Sequence, residues 1–568
     1  MRKINKFKYS TLTILASAVF SLNSCDIDTI PQDRYAEELV WADPSTIEMY
    51  INGMYNEVKN FQFGLFPGLG YDNAMDALAD GMKFTSNTPG NGTVNILISN
   101  ASQFNPASVG LNYWQRGYER IRRVNEFIDG LYNKSLVNDQ DKAKYEAEAR
   151  FIRAYSYFWL AKIHGSVIIL KSLDLYSDKD NPRSSETEVY DFIVDDLKFA
   201  AENLPKTHLR GRATKGAANA LLSRVALYAG SIAKYDKKQF NQDPKTGINE
   251  SLASKYFTTS AEAAQAVVSL ASEGLYDLDA NFASIFTNKN TKESILPVDF
   301  SAPAITHQYD LYYAPPKDAL GNTQVFGVPT AELVDAFEMA DGSKFSWSNP
   351  AHAANPYVNR EPRFYATIIH NGMTWKGRTI NTTVADAVEG YVDFGVSGDP
   401  KRTVTGYYSK KLLDPSNSNF VVNRSTQTWH ELRYAEVILN LAEAQAELGQ
   451  FTNSAATLNL LRSKRGNLQE VSYNTSATAM VAIEHERKIE LAFEGHRFWD
   501  LRRWRKAHVV LNNTRMTGHK ITPVGTDLRY DVVEVDNMDR SFTGRLYYLP
   551  IPEREVQVNL ALDQIQGW

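Results

Sequence analysis

The chain has 568 residues, 43% hydrophobic and 22% charged, with 61 Lys and Arg against 66 Asp and Glu for a formal net charge of −5. That length is enough for a large buried core, but the acid excess and a pI near 6.1 lack the basic footprint of a nucleic-acid binder. One cysteine, Cys25, excludes an intrachain disulfide, and a mean hydropathy of −0.38 is that of a soluble globular chain.

Residues 1–24 read as a secretory leader. Arg2, Lys3, Lys6 and Lys8 form its basic start and Thr11 to Leu22 its apolar run, too short to span a bilayer; Leu22-Asn23-Ser24-Cys25 is the cleavage position. Cys25 stands where a lipoprotein carries its acylated cysteine. Several acyl chains, at about 0.8 kcal/mol per buried CH₂, would tether the chain to a membrane without a spanning helix. Residues 25–43 are then a polar tether. Residues 44–568 contain no Pro- or Ser-rich linker long enough to separate domains, so they read as one unit, 44–280 helical and 281–568 loop-rich with further helices.

Asp43 is a cap before Pro44, and Ile47, Tyr50, Ile51 and Met54 share one helical face. From Phe61 to Ser108 the periodicity breaks into a Gly- and Asn-containing loop, with Asp72, Asp76, Asp80 and Phe84 as its candidate polar and aromatic contacts. Helical spacing returns over Tyr113 to Leu131 and Lys144 to His164, where Arg150 and Arg153 read as structural. Ser185 and Glu188 form a capping box ahead of the next helix. Arg212 to Gly230 alternates small and large residues through Ala218, Leu222 and Ala226; Tyr434 to Gly449 repeats this at Ile438, Ala442 and Ala446, with a partner helix over Ala455 to Arg465. Small residues at four-residue intervals in helix pairs are the tetratricopeptide-like signature, here in separated copies.

Between Phe282 and Trp429 the helical pattern mostly stops. Ser294 to Phe300 reads as a strand, Pro329 to Glu338 as a short helix, and Tyr365–His370 and Val404–Ser409 as short strands. The predicted class is therefore mostly α, a scaffold of helical hairpins with a loop-rich portion containing short β-strands. Tyr309, Tyr312, Tyr313, Phe326, Phe345, Trp347, Trp375 and Tyr391 crowd this middle. Flat rings beside polar groups suit a pyranose, which presents C–H groups on its faces and hydroxyls at its rim. Rings in a large loop region also simply fill a core.

The stretch Glu484 to Lys506, EHERKIELAFEGHRFWDLRRWRK, mixes acids, bases and large rings too densely for an ordinary core helix or a solvated one. Helical spacing sets Glu484 against Lys488 and Arg487 against Glu490. Gly495 is a stop, after which Arg497 to Lys506 reads as a second short helix. Arginine stacks on rings and binds carboxylates in a fork, so the stretch reads as an internal clamp. A zinc-protease helix is excluded because Ile489 stands where H-E-x-x-H needs its second histidine after His485-Glu486. Glutamates interleaved with Arg and Lys are ion-paired more readily than catalytic.

The run ERKIELAFEGHRFWDLRRW resembles the C-terminal signature of the SusD/RagB family, surface lipoproteins of Bacteroidetes that capture nutrients for outer-membrane transporters. PTAELVDAFEMADG, REPRFYATI, the W-x-x-x-Y-x-x-I-x-x-x-N pattern beginning at Trp114 and the tail LYYLPIPEREVQVNLALDQIQGW also look like family segments. The resemblance implies a SusD-like scaffold lipidated at Cys25 and held on the outer membrane facing the exterior. It implies a SusC-like TonB-dependent transporter as partner and an oligosaccharide or polysaccharide as ligand. Arg487, Glu490, Glu494, Arg497, Trp499, Asp500, Arg502 and Trp504 would be its structural signature. Ligand contacts vary within the family; residue type and position select Asp80, Phe84, Tyr309, Tyr312 and Trp347.

No G-x-S-x-G elbow, phosphate-cradling loop, C-x-x-C or paired histidine at i,i+4 occurs. The expectation is binding without catalysis and without a cofactor; a metal among the early-loop aspartates stays open. A module binding peptides and a surface glycoside hydrolase, which needs only two carboxylates, are the alternatives.

Overall fold

The computed structural model describes residues 37–62, 75–85, 98–100, 102, 111–177, 180–319, 325–395, 401–418, 420–422, 424–466 and 468–568. The expected leader, Cys25, most of the tether and Asp72 lie outside this set. Among the described residues the chain is mostly helical, with short strands paired two at a time, as the periodicity predicts. No described helix is long and apolar enough to cross a membrane.

Helix α1 (Pro44–Gln62) begins after Asp43, whose carboxylate accepts the Ser45 N–H at 2.9 Å. It buries Ile47, Ile51 and Met54. Helices α2 (Trp114–Asn133), α3 (Asp139–His164), α4 (Glu186–Asn203), α5 (Lys215–Tyr235) and α6 (Ala253–Ser272) follow, α2 to α6 each packed on the next. The predicted capping box opens α4: Ser185 and Glu188 each accept the other's backbone N–H. Small residues let α5 and α6 approach closely. A Cβ at Gly230 would lie 2.8 Å from the Phe257 ring of α6, so the ring needs glycine there.

A second group comprises α7 (Tyr434–Glu447), α8 (Phe451–Lys464), α9 (Ser476–Glu490) and α10 (Arg497–Arg503). Helix α7 packs on α8 and α9 and also on α5 and α6, so the two distant helical groups share one core.

The remaining chain crosses this scaffold as loops and antiparallel strand pairs: β1 (Met82–Phe84) with β3 (Gly327–Pro329), β2 (Ser294–Val298) with β4 (Trp429–Arg433), and the hairpin β5 (Thr517–Val524) to β6 (Asp527–Glu534). Two local expectations change. Residues 362–367 form a helix, begun by Pro362 and followed by only a two-residue strand, Ile368–Ile369. The helix expected over 329–338 contracts to Ala331–Val334, because Gly327–Pro329 is drawn into pairing with β1. The β5–β6 hairpin was not anticipated at all.

The signature forms an ionic hub rather than local helix pairs. Glu490 is fully buried, and its carboxylate accepts Arg433 at 2.9 Å, Arg465 at 2.9 Å and Arg363 at 3.1 Å. Arg433 and Arg465 also share Glu293, at 2.8 and 2.6 Å. Glu494 takes Arg433 at 2.6 Å and Lys411 at 2.7 Å, while Arg462 bridges Glu486 at 2.6 Å to Glu338 at 2.8 Å. Arg487 pairs with Asp500 at 2.9 Å, not with Glu490, and Lys488 reaches Asp80 at 3.0 Å instead of Glu484. Arg503 joins Asp500 to Glu443, and the Trp504 indole N–H donates to Glu443 at 2.8 Å. Trp499 packs edge-on against Trp159 at 5.7 Å, and Arg502 caps the carbonyls of Leu546 and Tyr547. Gly495, at φ +77°, makes the turn that separates α9 from α10.

Burial alone would raise the Glu490 carboxyl; Arg465, Arg433 and Arg363 outweigh it and hold it well below the usual carboxylate range. Burial likewise opposes ionisation of Glu494, which Arg433 and Lys411 hold at about 2. Its folded pKa lies below its ordinary 4.5, so its stabilising contribution is present above that pH and is lost as pH falls toward 2. Glu490→Gln leaves three guanidiniums short of a counter-charge and is expected to lower unfolding free energy by about 3–5 kcal/mol, read from the urea midpoint. Arg515→Ala, whose partners Glu534 and Asp539 are exposed, is expected to leave the urea midpoint unchanged.

Candidate functional site

Two groups of rings lie on the loop-rich portion. In the first, Phe84 of β1 stacks on Phe326 at 5.9 Å, and Tyr312 covers Phe326 at 4.1 Å with planes 27° apart. Tyr309 stacks on Tyr313 at 4.3 Å. The β1–β3 pairing brings Phe84 and Phe326 together, and Gly327 is needed because a Cβ there would lie 2.3 Å from the Met82 sulfur.

The second group is assembled from segments far apart in sequence. Trp347 lies 4.6 Å from the His519 ring and 5.5 Å from Tyr530. Tyr357 meets Tyr530 at 5.9 Å and Tyr407 at 6.2 Å, both edge-on. The Trp347 indole N–H donates to Asp335 at 2.9 Å, and the Tyr407 hydroxyl meets His519 Nδ1 at 2.8 Å. Trp347, Tyr357 and Tyr530 stay partly exposed while Tyr407 and His519 are buried, giving an apolar face with polar groups set behind its rings.

The signature helix reaches this face through Glu332. Lys488 of α9 donates to the Glu332 carbonyl at 2.9 Å, and the Glu332 carboxylate accepts the Thr517 N–H at 2.9 Å and its hydroxyl at 2.8 Å. Thr517 begins β5, which carries His519 and pairs Ile521 with Tyr530 of β6.

Of the five residues selected from sequence, Tyr312 and Trp347 are partly exposed, one in each ring group. Phe84 and Tyr309 are buried in packing. Asp80 is buried and held by Arg497 at 2.8 Å and Lys488 at 3.0 Å. Burial opposes its ionisation, but Lys488 and Arg497 hold its carboxyl far below the usual range. Its carboxylate therefore serves the clamp, because residues 75–85 pack against α9 and α10. Asp76 accepts the Gly495 N–H at 3.0 Å, again toward the clamp. Sequence reasoning missed Asp335, Tyr357, His519 and Tyr530. The hairpin signal was available: Gly525, at φ +63°, joins two runs rich in β-branched residues.

Burial raises the Asp335 carboxyl to about 7, against the hydrogen bond from Trp347 and the charge of Arg360. Burial and Arg360 lower His519 to about 4, so it is neutral at pH 7. Among the described residues no group of three or more His, Cys, Asp or Glu is placed to hold a metal ion.

The fold is a helical-repeat scaffold that carries a partly exposed aromatic face on its loops. Residues 288–568 match the sequence profile of the SusD family, and residues 39–227 match one described as starch-binding and associating with the outer membrane. The chain is 23% identical over 526 residues to a SusD-like protein of Formosa agariphila, covering 89% of this chain and 92% of that one. A crystal structure of a SusD-like protein from Bacteroides fragilis is similar at a TM-score of 0.75 and 28% identity, over 94% of this chain and 99% of that one. A laminarin-binding SusD-like protein is similar at a TM-score of 0.63 and 21% identity, over 93% and 100%. The chain belongs to the SusD/RagB family.

The raised Asp335 pKa has a measurable sign. Folding favours the protonated carboxyl, so its contribution is fully present below about 3.8 and is lost as pH rises through about 7. Asp335→Asn keeps an acceptor for Trp347 and removes the titration. The difference in melting temperature, variant minus wild type, is expected to grow from pH 4 to pH 8; a flat difference assigns no such role to Asp335.

Proposed function

We propose that this protein is a cell-surface glycan-binding lipoprotein. Anchored at the outer membrane through acylated Cys25, it captures oligosaccharide or polysaccharide and passes it, uncleaved, to a SusC-like TonB-dependent transporter. The observation that carries the reading is the partly exposed ring set of Trp347, Tyr357 and Tyr530 with Asp335 held against the Trp347 indole. Sugar C–H faces stack on such rings, and hydroxyls at the rim find polar partners beside them. Family membership supports both the ligand class and the outer-membrane location, and the laminarin-binding relative supports a polysaccharide over a monosaccharide.

Tyr312 adds a second ring surface, suited to a chain longer than one sugar unit. Asp80, Phe84 and Tyr309 then act behind the surface: the first through its ion pairs, the other two through the rings they stack on. Capture followed by delivery requires release, and stacking without buried ion pairs to the ligand gives the moderate affinity that release needs.

Calorimetric titration of the purified protein against soluble glycans, laminarin among them, and against peptide digests tests the proposal, with products checked by chromatography. Uncleaved binding to one glycan class is expected. Trp347→Ala and Tyr530→Ala are each expected to weaken it at least about tenfold, about 1.4 kcal/mol, whereas Leu136→Ala, at an 85% exposed position, leaves it unchanged. Binding to peptides alone replaces the sugar with a peptide ligand, and cleavage overturns the non-catalytic reading.

A further inference from the structure

The β5–β6 hairpin leaves one sheet edge open. On β5, the His519 N–H donates to the Thr405 carbonyl at 2.8 Å and the Ile521 carbonyl accepts the Val384 N–H at 2.9 Å, so these residues turn their backbone groups away from β6. In an antiparallel ladder, residues opposite each other either exchange hydrogen bonds or both turn away. His519 stands opposite Val532 and Ile521 opposite Tyr530. Val532 and Tyr530, and by the same alternation Leu528, therefore aim their N–H and C=O groups outward along β6. Among the described residues no backbone group of another segment meets them there.

Such an edge is a template for a further strand unless Pro, Lys or a covering element blunts it. The eight residues of β6, DLRYDVVE, contain neither Pro nor Lys. Leu528 and Val532 are 40% and 62% exposed on the face that carries Tyr530. Arg529 and Asp531 lie on the opposite face, 2.9 Å from each other and themselves open to solvent.

The strand is also complementary to itself. Set antiparallel to a second β6 with the two-fold axis at Tyr530, it brings Arg529 opposite the second copy's Asp531 and Leu528 opposite its Val532. The axis then repeats both pairings. Backbone parity agrees: Tyr530 exchanges hydrogen bonds with its own counterpart and Leu528 with Val532, the residues whose groups point outward. Arg529 and Asp531 take the closer, non-bonded positions, where cross-strand charges interact best.

We propose that two copies of this chain pair edge to edge through β6, in an antiparallel register centred on Tyr530, with the Arg529 and Asp531 pairs exchanged between copies. The two-fold axis of such a pair stands perpendicular to the sheet, so the faces carrying Tyr530, Trp347 and Tyr357 end on the same side. The two ring surfaces then adjoin and offer a longer contact to a glycan. That consequence rests on the glycan reading; the pairing does not. A single paired edge belongs with the small, transient interfaces, so the dimer forms at high chain concentration.

Sedimentation equilibrium of purified Cys25→Ser protein, which cannot carry acyl chains that associate by themselves, tests the pairing with no glycan present. The average mass is expected to rise toward twice that of the monomer between about 1 and 300 µM chain. Val532→Pro removes an outward N–H and no bond to β5, and is expected to weaken association at least tenfold. Asp531→Arg sets like charges opposite each other on both sides of the axis and is expected to do the same. Adding Arg529→Asp to it restores opposite charges with their places exchanged, and is expected to recover association. Both charged positions are exposed, so these variants keep the fold. A monomer at every concentration, association undiminished in Val532→Pro or Asp531→Arg, or no recovery in the double variant overturns the pairing. None of these outcomes bears on glycan binding, which calorimetry reads separately.

Discussion

The structure depends on one buried carboxylate. Glu490 sits at the end of α9 with Arg433 from the end of β4, Arg465 from the end of α8 and Arg363 from the helix at 362–367 around it. None of these segments neighbours another along the chain except α8 and α9, so the ion pairs set tertiary position, which no local propensity could do. Apolar packing alone tolerates sliding, since one aliphatic contact is much like the next. A guanidinium that must meet two carboxylates at fixed angles has one solution. Because Glu490 is shared by three arginines and each of these meets a second carboxylate, removing one member unbalances several pairs at once and costs more than the single pair it breaks.

Most of the scaffold was legible because its signals are local. The cap at Asp43, the capping box of Ser185 and Glu188, the small-residue rows of α5 and α7 and the stop at Gly495 are each decided within a few residues. The clamp was legible in kind and not in detail. The composition of residues 484–506 announced buried ion pairs, but helical spacing suggested Glu484 with Lys488 and Arg487 with Glu490, whereas Glu484 meets Lys506 and Glu490 meets arginines far along the chain. Spacing shows which charges can meet on one helix; it is silent on a neighbour arriving from elsewhere with better geometry.

The ring surface was harder for the same reason. Trp347 was visible as a residue type, but its companions Tyr357, Tyr407, His519 and Tyr530 span a long stretch of sequence, and no spacing rule joins them. Asp80 shows the converse. An aspartate in a stretch without periodicity looks like a ligand contact until its carboxylate meets Lys488 and Arg497, and then it is part of the core. Burial, which decides between the two roles, depends on the whole fold.

The hub and the ring surface are two ends of the same short segments. Glu338 enters the hub through Arg462, and three residues earlier Asp335 holds Trp347. Arg363 meets Glu490, and a few residues earlier Arg360 ties the carbonyls of Val334 and Phe337 while Tyr357 faces Tyr530. Lys488, two residues from Glu490, fixes Glu332 and through it the start of β5. A surface built on irregular loops would ordinarily lose its geometry to conformational entropy. Here buried Arg360 lies three residues from Tyr357, and Asp335, three residues before the hub residue Glu338, holds the Trp347 indole, so less freedom remains at these rings. That arrangement lets the exposed residues vary without disturbing the frame, because the ionic constraint and the contact surface occupy different positions on each segment. It also separates their electrostatics: the hub acids Glu494 and Glu338 are held at about 2, while Asp335, with a tryptophan and not a base as its hydrogen-bond donor, is raised to about 7. Scaffold and surface therefore respond to pH in different ranges, the hub staying ionised while the carboxyl behind Trp347 changes state.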